Sequence, residues 1–443
     1  MANSRLFRSR TLGLRVGAAT GALAVVIVFV LTVVASPAAQ AQTFDVIHTF
    51  TGKTDGGWPY AGVTIDKTGN LYGTTYAYGN PKGPYGANYG VVYRVKPTTS
   101  GGWTFNTLYT FTDGKDGAFP AARVIFGPNG TLYGTTQGSG EGSSGYGTVF
   151  NLKPPATCTT SFCPWKITTL YAFKGEPDCN GQTNSFGDLV FDDAGNIYGT
   201  TYNGGAHNEG CVYKLTPSAT GGYTEKVIHS FGGAVPGEGQ YPFAGVTVDK
   251  AGNLYGTTSE GGRTCGTYGG TTCGTVYELM PSSGGYTEKQ LYDFTGAGDG
   301  SNPFGGVIFD SSGNLYGSTE NGGFSGAGTA FKLKPEGNGD WSYAPLYSFA
   351  GGTFCGPYGN LALDGKDNLY GTTDCSGGPY GNVFKLTPEG IYTSFHDFSG
   401  GSDGANPISN VTFDASGNLY GTASGGANGT CDSGCGVVWK ITP

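Results

Sequence analysis

Five loops along this 443-residue chain repeat an acidic residue, a glycine, two further residues and a proline: Asp55 to Pro59, Asp116 to Pro120, Glu238 to Pro242, Asp299 to Pro303 and Asp403 to Pro407. Carboxylates are hard oxygen ligands, so a ring of them has the chemistry to hold Ca²⁺. Asp55, Asp116, Glu238, Asp299 and Asp403 are therefore the candidate metal ligands, and Ca²⁺ is the one cofactor the sequence suggests. Asp-Gly is also ordinary turn chemistry. One carboxylate per loop weighs toward that second reading, because a Ca²⁺ site needs several to converge.

Aromatic residues crowd the same loops, and exposed rings among Asn, Asp and Gly suit the C–H faces of sugars. Tyr60, Phe243, Phe304 and Tyr358 recur just after the loop proline or its equivalent and read as packing between repeats, since large rings dominate buried area. Trp58, Tyr78 and Tyr85 stand at non-repeating positions and are the candidate ligand platforms, with His207 in a long loop beside them. Catalytic signatures are thin. Of four histidines, His48, His229 and His396 fill a slot that holds Tyr109, Tyr171, Tyr292 and Tyr347 elsewhere, which makes them structural substitutes. Gly400-Gly401-Ser402-Asp403-Gly404 matches a nucleophile elbow in letters, but that motif needs a strand-to-helix turn. The chain offers no helix to follow it, so a non-catalytic binding module is expected ahead of a polysaccharide hydrolase or lyase using loop carboxylates, and ahead of a structural envelope component.

The elements that must position these residues follow from composition and repetition. With 83 Gly and 13% charged residues, long helices are disfavoured, because each interior Gly costs about 1 kcal/mol relative to Ala. A block Gly-Asn-Leu-Tyr-Gly-Thr-Thr recurs with its tyrosine at Tyr72, Tyr133, Tyr198, Tyr255, Tyr316, Tyr370 and Tyr420. An apolar segment and tight turn precede each copy, and a Gly-rich loop, a third apolar segment and a fourth segment ending near Phe111 or its equivalents follow. Four strands repeated seven times predict an all-β, seven-bladed β-propeller. The chain begins with a fourth-type strand, Phe44 to Phe50, and ends with a third-type strand, Gly436 to Pro443. The first strand can thus complete the last blade and remove an exposed edge; a linear solenoid would not need complementary ends.

Residues 1–41 read as an export leader: Arg5, Arg8, Arg10 and Arg15, an uncharged stretch from Gly17 to Ser36, and Ala39-Gln40-Ala41 at the expected cut. An uncleaved leader would be the one membrane attachment; residues 42–443 form the propeller, expected as a monomer outside the cytoplasm. Without the leader's four arginines, 20 basic residues face 32 acidic ones, a net charge of −12. That excludes a nucleic-acid role, which rests on basic residues. Ten cysteines in an exported chain imply disulfides. Placement in neighbouring loops pairs Cys179 with Cys211, Cys355 with Cys375, Cys265 with Cys273, Cys431 with Cys435 and Cys158 with Cys163. The order Gly-Val-x-x-Asp, Gly-Asn-Leu-Tyr-Gly-Thr-Thr, Gly-Thr-Val-Tyr-Lys-Leu-x-Pro resembles the GloVer tandem-repeat family of exported proteins over residues 43–443. The resemblance implies location and repeat type and carries no activity. The Val-x-x-Asp-x-x-Gly-Asn-x-Tyr run is similar to the inner hairpin of NHL-type propeller blades, which implies that Val63-type strands line the channel and Phe111-type strands form the rim. The expected ligand is a saccharide or a protein.

Overall fold

The computed structural model describes residues 42–79, 89–140, 145–157, 163, 165–181, 186–219, 221–233, 237–262, 273–351, 355–376, 378–427 and 429–443. These residues form seven four-stranded antiparallel sheets with no helix among them. Blade 1 comprises Thr64–Ile65, Leu71–Thr75, Val91–Pro97 and Trp103–Thr110, in that spatial order. Blades 2 to 6 follow in chain order, with outer strands Lys166–Ala172, Tyr223–Ser230, Gly285–Asp293, Trp341–Ala350 and Tyr392–Asp397; blade 7 comprises Thr412–Phe413, Leu419–Ala423 and Val437–Thr442, and its outer strand is Thr43–Thr49 from the other end of the chain. Thr43 pairs with Thr442 and Thr49 with Val437, so the ring closes through mixed termini. Among the described residues no helix is long and apolar enough to cross a membrane.

The repeated block is explained by hydrogen bonds it makes to itself. In blade 1 the Asp66 carboxylate accepts Thr68 N–H at 2.8 Å, Asn70 N–H at 3.0 Å, the Asn70 side-chain amide at 2.7 Å and the Tyr72 hydroxyl at 3.1 Å. The turn needs a left-handed residue, and Gly69 supplies it with φ +81°. Gly73 faces the Tyr93 ring so closely that a Cβ would meet its Cζ at 2.5 Å, so only glycine seats the third strand's aromatic residue. The first threonine ties neighbouring blades together: Thr74 donates to Ala122 O, Thr200 to Ala244 O, Thr257 to Gly305 O and Thr372 to Ser409 O. Seven hydrophobic clusters then fill the spaces between blades, as where Tyr72, Val92 and Phe111 meet Val124, Leu132 and Phe150. Phe50, Phe111, Phe150, Phe231, Phe294, Phe331, Phe349 and Phe384 are among the largest fully buried side chains. Each contributes about 1.5–3 kcal/mol of burial.

The two-residue strands are innermost. Thr412 of blade 7 donates to Val63 O of blade 1, and Thr247 of blade 4 to Val307 O of blade 5. The loop entering each blade and the loop after its second strand meet on one face, joined by bridges such as Gly57 with Ala77, Ala118 with Gly138 and Ala405 with Gly425. Disulfides staple this face, joining Cys179 to Cys211, Cys355 to Cys375 and Cys431 to Cys435. Cys163 and Cys273 are disulfide-bonded too; the residues expected opposite them, Cys158 and Cys265, lie outside the described residues. Such bonds belong to an oxidising compartment.

Candidate functional site

Asp55, Asp116, Asp299 and Asp403 are held by their own loops and by the rim residue of the preceding outer strand. Asp116 accepts Thr112 N–H at 2.8 Å, the Thr112 hydroxyl at 2.6 Å, Gly114 N–H at 3.1 Å and the Tyr109 hydroxyl at 3.0 Å. Asp299 repeats this with Thr295 and Tyr292, and Asp403 with Ser399 and His396. Asp55 takes Thr51 and, at 3.4 Å, His48. Burial would raise the Asp55 carboxyl, but the nearby His48 ring and hydrogen bonds from Thr51 outweigh it and hold the group below its ordinary value. Among the described residues, three potential metal-ligand atoms come within 4.8 Å of one another in two groups, and of these five acids only Glu238 belongs to one.

Trp58 is partly buried, its Nε1 donating to Gly434 O at 3.2 Å and its ring meeting Tyr78 edge-on at 5.2 Å. Both pack on the core cluster shared by blades 7 and 1. Tyr85 lies outside the described residues, and His207 is exposed in the loop after the second strand of blade 3. Among the described residues Trp58 and Tyr78 touch each other, and His207 stands in a different blade.

A different set of rings converges. The slot after each loop proline, or its equivalent, holds Tyr60, Ala121, Phe186, Phe243, Phe304, Tyr358 and Ile408, which line the mouth of the central channel. Phe186 stacks on Phe243 at 4.7 Å, Phe304 on Tyr358 at 5.0 Å, and Phe243 meets Phe304 at 4.6 Å. These rings seal the mouth, leaving a cavity of about 30 Å³, room for one or two waters by the usual measure. Tyr60, Phe243, Phe304 and Tyr358 thus pack across the channel as well as between neighbours. Ring contacts continue outward on the same face: Tyr60 to Tyr76 at 5.1 Å, Tyr76 to Phe119 at 5.2 Å and Phe119 to Tyr89 at 5.8 Å. In the other direction Phe243 touches Tyr202 at 6.2 Å and Tyr202 stacks on Tyr241 at 4.8 Å. All ten rings except Phe243 are partly exposed.

Phe119 and Tyr241 stand at φ 58° and 59°, a left-handed conformation that costs a bulky residue about 1–3 kcal/mol. The loops enforce it: Phe119 N–H donates to Tyr89 O at 2.9 Å, and Tyr241 N–H to Glu209 O at 2.8 Å. Beneath the rings a polar layer joins blades across the channel. Arg123 binds Asp188 at 2.9 Å, Asn410 donates to Asp188 at 3.0 Å, and the Asn360 N–H donates to Asn410 Oδ1 at 2.8 Å.

The slot after the second threonine of each block holds Tyr76, Gln137, Tyr202, Ser259, Glu320, Asp374 and Ser424, of which Tyr76, Tyr202 and Asp374 are partly exposed and the other four are buried. Burial, with Asp374 second, pushes the Glu320 carboxyl up to about 7. Asp374 is raised by burial, against a hydrogen bond from Asn406. Gln137 keeps its side-chain N–H₂ buried without a hydrogen-bond partner. The face therefore offers stacking rings beside the partly exposed Asp374 carboxyl. Neither slot entered the sequence reading as a site, although aligning the seven copies at the proline and at Gly-Thr-Thr brings both into register. A second hollow, of about 630 Å³, opens on the opposite face between blades 4 and 5 over Tyr255, Phe309 and Trp341. Its Trp341–Tyr255 contact recurs as Trp103–Tyr420 and Trp165–Tyr72, which marks it as ordinary blade packing.

The profile of the Gloeobacter/Verrucomicrobia repeat matches residues 27–269 and 263–443. The chain belongs to this repeat family. No curated protein matches it in sequence. Solved structures similar to this family member include an ulvan lyase from a polysaccharide lyase family, at 12% identity, 90% of this chain, 95% of that chain and a TM-score of 0.50. A putative gluconolactonase matches at 11% identity, 91% and 92% coverage and 0.40, and a putative oxidoreductase (glucose dehydrogenase) from Thermus thermophilus at 18%, 73% and 96%, and 0.41. At these identities the Gloeobacter/Verrucomicrobia repeat protein shares a propeller fold with the lyase, and its chemistry has to be argued from its own face.

Proposed function

We propose that this protein is an exported, monomeric, non-catalytic binding module whose aromatic face takes a saccharide chain. The observation that carries the reading is the unbroken run of ten touching rings from Tyr89 to Tyr241 over a sealed channel. Partly exposed rings offer flat apolar area to sugar C–H faces, while the partly exposed Asp374 carboxyl can accept hydrogen bonds from hydroxyls. Export is supported by the disulfides and by the leader composition of residues 1–41.

The test is retention of the full-length secreted protein on a panel of polysaccharides in affinity electrophoresis. Tyr76→Ala and Tyr202→Ala each remove one ring from the outward arms. With about 0.5–1.5 kcal/mol per aromatic contact, each weakens binding roughly two- to tenfold. Absence of retention on every polysaccharide, or variants that bind as tightly as the parent, overturns the reading and moves the weight to a protein ligand. One observation favours a second reading, a polysaccharide-cleaving enzyme: a carboxyl at about 7 beside another acid, as at Glu320 and Asp374, is what a general acid requires. Glu320 is only 4% exposed, which ranks this reading lower. Release of reducing ends by the parent and their loss in Glu320→Gln would establish it.

A further inference from the structure

At the rim, each blade interface presents three corresponding slots, and the interface between blades 3 and 4 fills all three with groups that can bind a metal. The first slot is the rim residue of a blade's outer strand, the second the acid of the following loop, and the third a residue on the next blade's outer strand. The third slot carries a ring in most copies: Phe44 stacks on His396 at 3.5 Å, Phe105 on His48 at 4.0 Å and Tyr343 on Tyr292 at 4.3 Å. Between blades 3 and 4 that slot is Glu288. The rim residue is His229 and the loop acid is Glu238, so an imidazole stands between two carboxylates. His229 Nε2 lies 3.7 Å from Glu238 Oε1 and 3.3 Å from Glu288 Oε2. The three side chains are 15%, 12% and 18% exposed. Nε2 of His229 and Oε2 of Glu238 are themselves buried and make no hydrogen bond.

The geometry points to a divalent transition-metal site, best suited to Zn²⁺, held by His229, Glu238 and Glu288 and clamping blade 3 to blade 4. A tetrahedral ion with bonds of about 2.0–2.2 Å has ligand-to-ligand edges of about 3.3–3.6 Å. The observed separations therefore seat it with small side-chain shifts. One imidazole nitrogen with two carboxylate oxygens favours Zn²⁺ over Ca²⁺, which prefers six to eight oxygens. Two carboxylates flanking one imidazole favour a positive charge between them. The neighbouring interface is the internal control. Glu225 fills the third slot between blades 2 and 3, beside Asp178 and Cys179. There the rim residue is Tyr171, and the Cys179 sulfur is bonded to Cys211, so the ligand set is incomplete.

The experiment uses the full secreted chain with its disulfides intact, stripped with EDTA and titrated with Zn²⁺ and separately with Ca²⁺ by calorimetry, with thermal midpoints read in parallel. The expected result is one equivalent of Zn²⁺ bound and a raised midpoint, with no response to Ca²⁺ at the same concentration. His229→Tyr, which installs the residue of four other blades, and Glu288→Gln both fold and lower Zn²⁺ affinity at least tenfold, while Glu225→Gln leaves it unchanged. No stoichiometric Zn²⁺ uptake by the parent, or equal uptake by His229→Tyr, overturns the site.

Discussion

The first threonine of each Gly-Thr-Thr block makes a sharp prediction, because one blade supplies its own control. Thr257 in blade 4 is fully buried, and its hydroxyl donates to Gly305 O of blade 5 at 3.0 Å. Ser318, the same slot in blade 5, is 1% exposed, and its hydroxyl has no hydrogen-bond partner. Thr257→Val preserves shape and leaves a buried carbonyl unpaired, a loss of about 1–3 kcal/mol. Ser318→Ala removes a desolvated hydroxyl that bonds nothing, so its effect is neutral or stabilising by about 1 kcal/mol. With an unfolding entropy of about 2.1 cal/mol/K per residue, roughly 400 ordered residues give about 0.8 kcal/mol/K. Thr257→Val therefore lowers the thermal midpoint by about 1–4 °C and Ser318→Ala does not lower it. Differential scanning calorimetry on both variants with disulfides intact decides the matter. Equal losses at the two positions would refute the idea that this threonine acts as a tie between blades.

Two further outcomes follow from charge. Burial raises Glu225 and Glu320 from 4.5 to about 7, so the stability they confer is full below their unfolded value and is lost as pH climbs through about 7. At Asp66, Asp192, Asp310, Asp364 and Asp414 hydrogen bonds from the hairpin outweigh burial and lower the carboxyl below 3.8. Their contribution is present above the unfolded value and lost as pH falls through the folded one. The thermal midpoint accordingly peaks in mildly acid solution, Glu320→Gln flattens the alkaline limb, and a midpoint that rises steadily from pH 5 to 8 would contradict both. Separately, Arg123→Met strips the cation from Asp188, whose side chain is 12% exposed. It costs about 3–5 kcal/mol, which Asp188→Asn on the same chain largely restores; urea unfolding showing a loss under about 1 kcal/mol would argue against a buried pair.

The blade architecture was legible because each repeated letter has a local structural duty. Asp66, Asn70 and Tyr72 hold one hairpin, Gly69 and Gly73 meet backbone and ring constraints, and Thr74 reaches the next blade. Seven copies in one register then state the strand order and the closure by Thr43–Thr49. The site was less legible because side chains meet across the channel at large sequence separation. Tyr60 and Phe186 touch at 5.9 Å, and Arg123 reaches Thr412 at 3.4 Å. Neither contact has a signal in local pattern. Trp58 drew attention as an isolated tryptophan, yet its indole is turned inward by the bond to Gly434. Tyr76 and Tyr202 drew less, although the slot they share opens onto the face.

That contrast explains where specificity resides in such a ring. The letters present in all or nearly all blades already spend their hydrogen-bonding capacity on the fold: the Asp66 carboxylate is filled by its own hairpin and the Thr257 hydroxyl by the next blade. A ligand can be read only by slots that the fold leaves free to vary. The slot after the second threonine is one, and its variation is polarised around the ring. Blades 1 and 3 place Tyr76 and Tyr202 there, continuous with the sealing rings, whereas blades 5 and 6 place Glu320 and Asp374. A ligand lying across this face would meet stacking surface on one side and hydrogen-bond acceptors on the other. A sugar chain has both faces to offer, apolar C–H patches and outward hydroxyls. An acidic polysaccharide would meet repulsion at the partly exposed Asp374, so a neutral chain is the better fit.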